Sequence, residues 1–170
     1  AAMFVPGTRT LDRKGRDAIR NYLARGGQVL LTMGPDVDPG TLTDVLGTRL
    51  SFDETPVQTP GATLIASDSR HPIFRPFLSP SGPLGDVQVE QHRRLKEQDD
   101  QAVLARFSGG DAALTEQSVG RGRLLVFTSD LDNEWSRFPL NPAFVPLAGE
   151  TARYLTRSHR PQQAVATVDI

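Results

Sequence analysis

The chain has 170 residues, 38% of them hydrophobic and 23% charged, with a net charge of −1 and no cysteine. Such a chain makes one ordinary globular domain able to bury about 70% of the surface it exposes when unfolded. The missing cysteines exclude thiol catalysis, Cys-built zinc sites and disulfides, and the near-zero charge gives no reason to bind nucleic acid or an anionic membrane. No run approaches 18 apolar residues, and the residues present carry no signal-peptide pattern.

Ala1-Ala2-Met3-Phe4-Val5-Pro6 opens on strand-like apolar residues, as expected of a piece of a longer protein. Residues 12–25 predict a helix with Asp12 as N-cap and Gly26 as the left-handed stop. Ala18, Ile19, Tyr22 and Leu23 share one face, and Arg13, Lys14, Arg16, Arg20 and Arg25 solvate the others. Gly15 weakens this helix by about 1 kcal/mol relative to Ala.

Val29-Leu30-Leu31 is a short continuous apolar run, the pattern of a strand covered on both faces. Strand, helix and strand from Phe4 to Met33 predict a right-handed βαβ unit. The turn Met33-Gly34-Pro35 follows at the strand's carboxyl end, where open α/β sheets build their sites. It holds no Cys, Ser or His. Asp36 and Asp38 follow it, too few oxygen donors by themselves for a hard cation. Thr41 is expected to cap a short helix carrying Leu42, Val45 and Leu46, ended by Gly47.

Residues 48–61 read as a connecting loop and 62–66 as a strand. His71, before Pro72 and beside Ile73 and Phe74, titrates near neutrality when unperturbed, but a lone His in an apolar segment is more often structural. Residues 79–86 are a loop. From 87 the period becomes two: Val87, Val89 and Gln91 alternate with Gln88, Glu90 and His92. Residues 102–107, 112–119 and 123–128 complete four strands, joined by turns at Gly109-Gly110-Asp111 and Gly120-Arg121-Gly122. The second half is expected to extend the sheet in antiparallel fashion. Gly120-Arg121-Gly122 lacks the Lys-Ser/Thr and helix of a phosphate-binding loop.

The stretch Ser129 to Leu140 leaves the last of these strands with Asp130, Asp132, Glu134 and the single Trp, Trp135. Paired carboxylates can divide acid and base roles, and Asp130-x-Asp132 can hold a hard cation. The Gly and distal Glu of a calcium loop are absent. An ordered loop whose carboxylates cap local amides is the competing reading. Asn141 and Pro142 are expected to start a final helix with Phe144, Val145, Leu147, Ala148, Thr151, Ala152 and Leu155 on its apolar face. Residues 1–157 are thus expected to form the domain and 158–170 a tail or linker, with Val165 to Ile170 strand-like.

Three stretches together resemble a known family. They are the helix running into Gly26-Gly27-Gln28-Val29-Leu30-Leu31, the tripeptide His71-Pro72-Ile73, and the long run from Gly120 through Trp135, Phe138-Pro139-Leu140 and Phe144-Val145-Pro146-Leu147. This is similar to the class I glutamine amidotransferase-like domain of bacterial membrane proteins with a BatA (aerotolerance-type) region. The His-Pro-Ile and Gly-Gly elements are shared with ThuA-like proteins. The resemblance implies a flavodoxin-like three-layer α/β sandwich, whose first strand and helix would lie upstream of Ala1. It also implies a place on the extracytoplasmic side of a bacterial inner membrane, anchored through segments outside this chain.

The amidotransferase nucleophile would fall at Met33-Gly34-Pro35, where no reactive side chain stands, and no His-x-Glu follows. No catalytic residue, cofactor or resident metal is therefore assigned. Two readings remain. One is a non-catalytic interaction domain whose partners are proteins or other domains of the same chain. The other is a small-molecule or metal-binding domain, or a hydrolase, using Asp36, Asp38, His71, Asp130, Asp132, Glu134 and Trp135. Convergence of His71 with Asp130 and Asp132 would count against the first.

Overall fold

A computed structural model describes residues 1–77 and 83–157. Six strands form the main sheet. β1 (Ala2–Val5), β2 (Gln28–Thr32) and β8 (Gly122–Phe127) run parallel, and β7 (Ala112–Val119), β6 (Ala102–Phe107) and β4 (Leu64–Ala66) continue antiparallel, in the order β1-β2-β8-β7-β6-β4. A second, two-stranded sheet pairs β3 (Val57–Ala62) with β5 (Val89–His92).

Three helices complete the fold: α1 (Arg13–Ala24), α2 (Pro39–Leu46) and α3 (Phe144–Arg157). Successive side chains of a strand point to opposite faces. Val29, Leu31, Leu124 and Val126 therefore pack under α1 and α2, against Ile19, Leu23, Leu42 and Leu46. Leu125 and Phe127 turn the other way and pack under α3, against Leu147 and Leu155. The result is the flavodoxin-like sandwich of three layers with a partly antiparallel sheet. The apolar runs at 29–31 and 124–127 are what a strand buried on both sides requires.

The helix cap of α1 is as expected: the Asp12 carboxylate accepts from the Gly15 amide at 2.7 Å, and Gly26 has φ +95°. The cap of α2 is not Thr41 but Asp38, whose carboxylate accepts from the Thr41 amide at 2.7 Å, with Pro39 in the first turn. Proline's fixed φ and missing N–H suit that position.

The region read as a loop over 48–61 contains β3, an exposed ribbon strand with a Pro and a Gly inside it. Its partner β5 leaves the main sheet, so the antiparallel extension consists of β4, β6 and β7. Alternation in β5 also breaks. The Glu90 and Gln91 amides both donate to the Trp135 carbonyl, at 2.8 and 3.3 Å, and His92 turns inward to near-complete burial. Asn141 is followed by a turn rather than by the helix itself: its side chain accepts from the Ala143 amide, and α3 begins at Phe144. Residues 158–170 and residues 79–82 of the 79–86 loop lie outside the described residues, and Pro83–Asp86 form a 3-10 turn.

One layer is only partly filled. A helix is about 10 Å wide and strands are about 4.8 Å apart, so one helix covers about two strands. On the face opposite α1 and α2, α3 is the one α-helix among the described residues, joined by the 3-10 turns Pro72–Phe77 and Phe138–Leu140. Beside it Phe4 of β1 remains 51% exposed and Leu30 of β2 is half-buried. A cavity of about 370 Å³ opens there, lined by Phe4, Leu30, Phe127, Leu131, Phe144 and Leu147 among other apolar side chains. β1 forms an edge of the sheet along the same side.

Candidate functional site

β2 and β8 are neighbours in parallel register, with Thr32 opposite Phe127. The loops that leave their carboxyl ends therefore start side by side. The Met33 amide ties them, donating to the carbonyls of Phe127 at 2.9 Å and Ser129 at 3.0 Å. Gly34 then passes against Asp130 so closely that a β-carbon there would lie 2.6 Å from the Asp130 Cβ. Only glycine fits that approach.

Asp36 is held from the other side. Its carbonyl accepts the amides of Thr8 and Arg9, both at 2.9 Å, and the Arg9 guanidinium donates to the Pro35 carbonyl at 2.9 Å. The loop after β8 curls on itself at Asn133, which has φ +73°. That curl aims the amides of Glu134 and Trp135 back at one oxygen of Asp130, at 2.8 and 2.7 Å. The Ser136 hydroxyl donates to the Asp130 carbonyl at 2.9 Å.

Asp130 is 1% exposed, and its other carboxylate oxygen, Oδ1, has no hydrogen-bond donor. The Asp132 carboxyl stands next to it. Burial first, and then that neighbouring carboxyl, push the Asp130 acid up to about 6. At the surface, carboxylate oxygens of Asp132 and of Asp36 and Glu134 all lie within 4.8 Å of one another.

Asp38 and His71 do not join this group. Asp38 is spent on the α2 cap, and its hydrogen bonds from Thr41 hold its acid below the usual range. His71 lies on the α3 side of the sheet, 4.8 Å from the Tyr154 ring and 6.1 Å from that of Phe74. Burial lowers its pKa, and its Nδ1 accepts from the Ile73 amide at 3.3 Å. The acidic loops that the sequence singled out do converge, through Asp36, Asp130, Asp132 and Glu134. The histidine that would complete an acid–base set is elsewhere.

Trp135 is buried beneath the cluster and carries a residue the sequence reading did not single out. Arg93 is 6% exposed, and its guanidinium lies over the Trp135 ring at 5.2 Å and the Phe52 ring at 5.9 Å. It donates to the carbonyls of Met33 at 3.2 Å, Gly34 at 3.4 Å and Glu54 at 2.8 Å. So the turn at Met33-Gly34-Pro35 is locked from below by an arginine. Strand parity from Val87 and Val89 puts Arg93 on the inward side, the one available sequence signal.

A second polar set was also missed. Buried His92 bridges the Thr59 hydroxyl at 3.2 Å and the Asp111 carboxylate at 2.7 Å, and the Arg94 guanidinium also reaches Asp111, at 3.2 Å. With its ring on Phe107 at 4.5 Å, His92 fastens β5 to the β6–β7 turn.

No protein-family model and no curated protein matches the chain. Solved structures do. A cytoplasmic protein from Salmonella typhimurium matches 85% of this chain and 61% of its own, at 19% identity and a TM-score of 0.68. A second cytoplasmic protein, from strain LT2 of that species, matches 84% of this chain and 59% of its own, at 22% identity and TM-score 0.61. A ThuA-like protein from Bacteroides uniformis matches 89% and 67%, at 14% identity and TM-score 0.56. At these identities the likeness is one of fold. The chain thus spans about three fifths of the first two structures it resembles. No helix among the described residues is long and apolar enough to cross a membrane.

Proposed function

We propose that this chain is a non-catalytic interaction domain of a larger bacterial protein of the BatA-associated type, anchored to the inner membrane by segments outside this chain and facing its outer side. The cavity beside α3 carries the reading. Its occupant is one further apolar helix of the same polypeptide, packed on Phe4 and Leu30 in the unfilled half of the α3 layer. A sheet face left open in this way is stabilised by covering it with another element, at about 25 cal/mol per Å² of apolar surface removed from water.

Two observations favour binding over chemistry. The turn at Met33-Gly34-Pro35 carries no nucleophile, and Arg93 occupies its carbonyls. Among the described residues, the acidic cluster at that end of the sheet has no histidine within it. The compartment rests on the resemblance in sequence alone.

The test is a photo-crosslinking residue at Phe4 in the full-length protein in its native host, with the crosslinked peptide read by mass spectrometry. An intramolecular crosslink to a helix outside residues 1–157 is the expected result. A crosslink to residues 158–170, to a different protein, or none at all overturns the assignment.

A further inference from the structure

We infer that Asp36, Asp132 and Glu134, with the unpartnered oxygen of Asp130 behind them, form a binding site for a hard divalent cation of the calcium type, bridging the loops after β2 and β8. Three features of the structure lead there. The three outer carboxylates lie within 4.8 Å of one another. Calcium binds oxygen at about 2.3–2.6 Å, so opposite ligands in its shell stand about 4.6–5.2 Å apart. The three oxygens therefore fit one calcium shell with little movement.

Next, the cluster lacks its own counter-charge. None of the ion pairs among the described residues involves Asp36, Asp132 or Glu134. The guanidinium of Arg9, in the loop after β1, is turned to the Pro35 carbonyl. Like charges gathered this way repel one another, and a cation relieves that repulsion.

The third feature is independent of the surface cluster. Asp130 is almost wholly buried, yet its Oδ1 finds no donor, and the neighbouring side chain is another carboxyl, that of Asp132. A buried acceptor without a donor keeps its full desolvation penalty. Its other oxygen is fixed by two backbone amides, so the carboxyl cannot rotate away to find one. An acceptor held rigidly against further acceptors is the environment a cation fills. The donors are all hard oxygens from two loops, with no nitrogen or sulfur, which suits calcium better than a transition metal.

The inference goes beyond the docking reading: the site is on the loops, the cavity under α3. It is tested on the chain of 170 residues, stripped of metal and then titrated with calcium chloride, with magnesium chloride as a second arm. Calcium at 100 times its dissociation constant stabilises the fold by about 2.7 kcal/mol, so a rise in melting temperature of at least about 2 °C is expected. Asp36→Asn and Glu134→Gln should each abolish most of that rise, whereas Asp100→Asn, an exposed carboxylate elsewhere, should keep it. Calorimetric titration gives the stoichiometry, expected to be one. No shift and no heat with either cation overturns the site. So does a shift that survives both Asp36→Asn and Glu134→Gln. A shift with magnesium but not calcium overturns the calcium assignment.

Discussion

Gly34 and Asp130 touch across the ends of the two central parallel strands, with no room for a β-carbon between them. The contact joins the turn after β2 to the loop after β8, and through Asp130 it sets where the Glu134 and Trp135 amides point. Gly34→Ala must push the two loops apart, and overpacking of this kind costs about 1–3 kcal/mol. Urea denaturation should show an unfolding free energy lower by that amount, read as a lower midpoint at an unchanged slope. A midpoint equal to wild type would mean that the loops part freely.

Arg93 is the other fastening of the same turn. Truncation to Met keeps the stem over Trp135 but leaves the carbonyls of Met33 and Glu54 without their donor, while the Gly34 carbonyl keeps the Val37 amide at 3.3 Å. Each buried acceptor stripped of its partner costs about 1–3 kcal/mol, discounted where water can enter. Arg93→Met should therefore lose about 3 kcal/mol or more. Arg93→Lys keeps the charge but not the planar fork, and should fall between Met and wild type. Chemical denaturation of the three proteins gives the order, and a lysine variant as stable as wild type contradicts it.

His71 gives the fold a pH dependence of definite sign. Burial holds the folded imidazole below its ordinary value of 6.5, with Glu116 and Asp68 opposing and Arg123 reinforcing. The unfolded chain takes up the proton first as pH falls, so the His71 contribution is complete above about 6.5 and is lost below it. Asp130 works in the opposite sense: its acid is raised to about 6, so its contribution is complete below 3.8 and is lost as pH rises through 6. The comparison is therefore made between wild type and His71→Asn at each pH, the amide oxygen replacing Nδ1 as acceptor for Ile73. The variant should lose less melting temperature than wild type between pH 7 and pH 5. Equal losses would remove His71 from the account.

Legibility followed locality. The strands at 29–31 and 124–127 are readable because burial on both faces leaves an unbroken apolar run, and helix α1 because its cap, its face and its stop agree. The α2 cap was displaced because Asp38 and Thr41 are both good capping residues, and Pro39 favours the first only when weighed with it. β3 was missed because Val57-Gln58-Thr59-Pro60-Gly61-Ala62 has no consistently buried face and carries two residues that strands avoid.

The acidic cluster was half legible. Asp36 and the 130–134 run announce themselves, but only the adjacency of β2 and β8 makes them one group. Arg93 and His92 were not singled out, since what buries them comes from residues 33, 34, 54, 59 and 111. His71 drew attention for its chemistry, and its surroundings were set by α3, more than 70 residues onward.

The sheet order has a consequence for how the protein is made. β8 is the last strand among the described residues, yet it stands between β2 and β7. Until residue 127 has left the ribosome, β1 and β2 can pair only with each other, while β4, β6 and β7 form a separate antiparallel patch. Neither has the other's apolar face to pack on. The long loop between β2 and β8 must close before any parallel contact repays it, which places this fold among the slower ones. During that interval the β2 edge, with Leu30 and Leu31 on it, is the segment most open to pairing with another nascent chain.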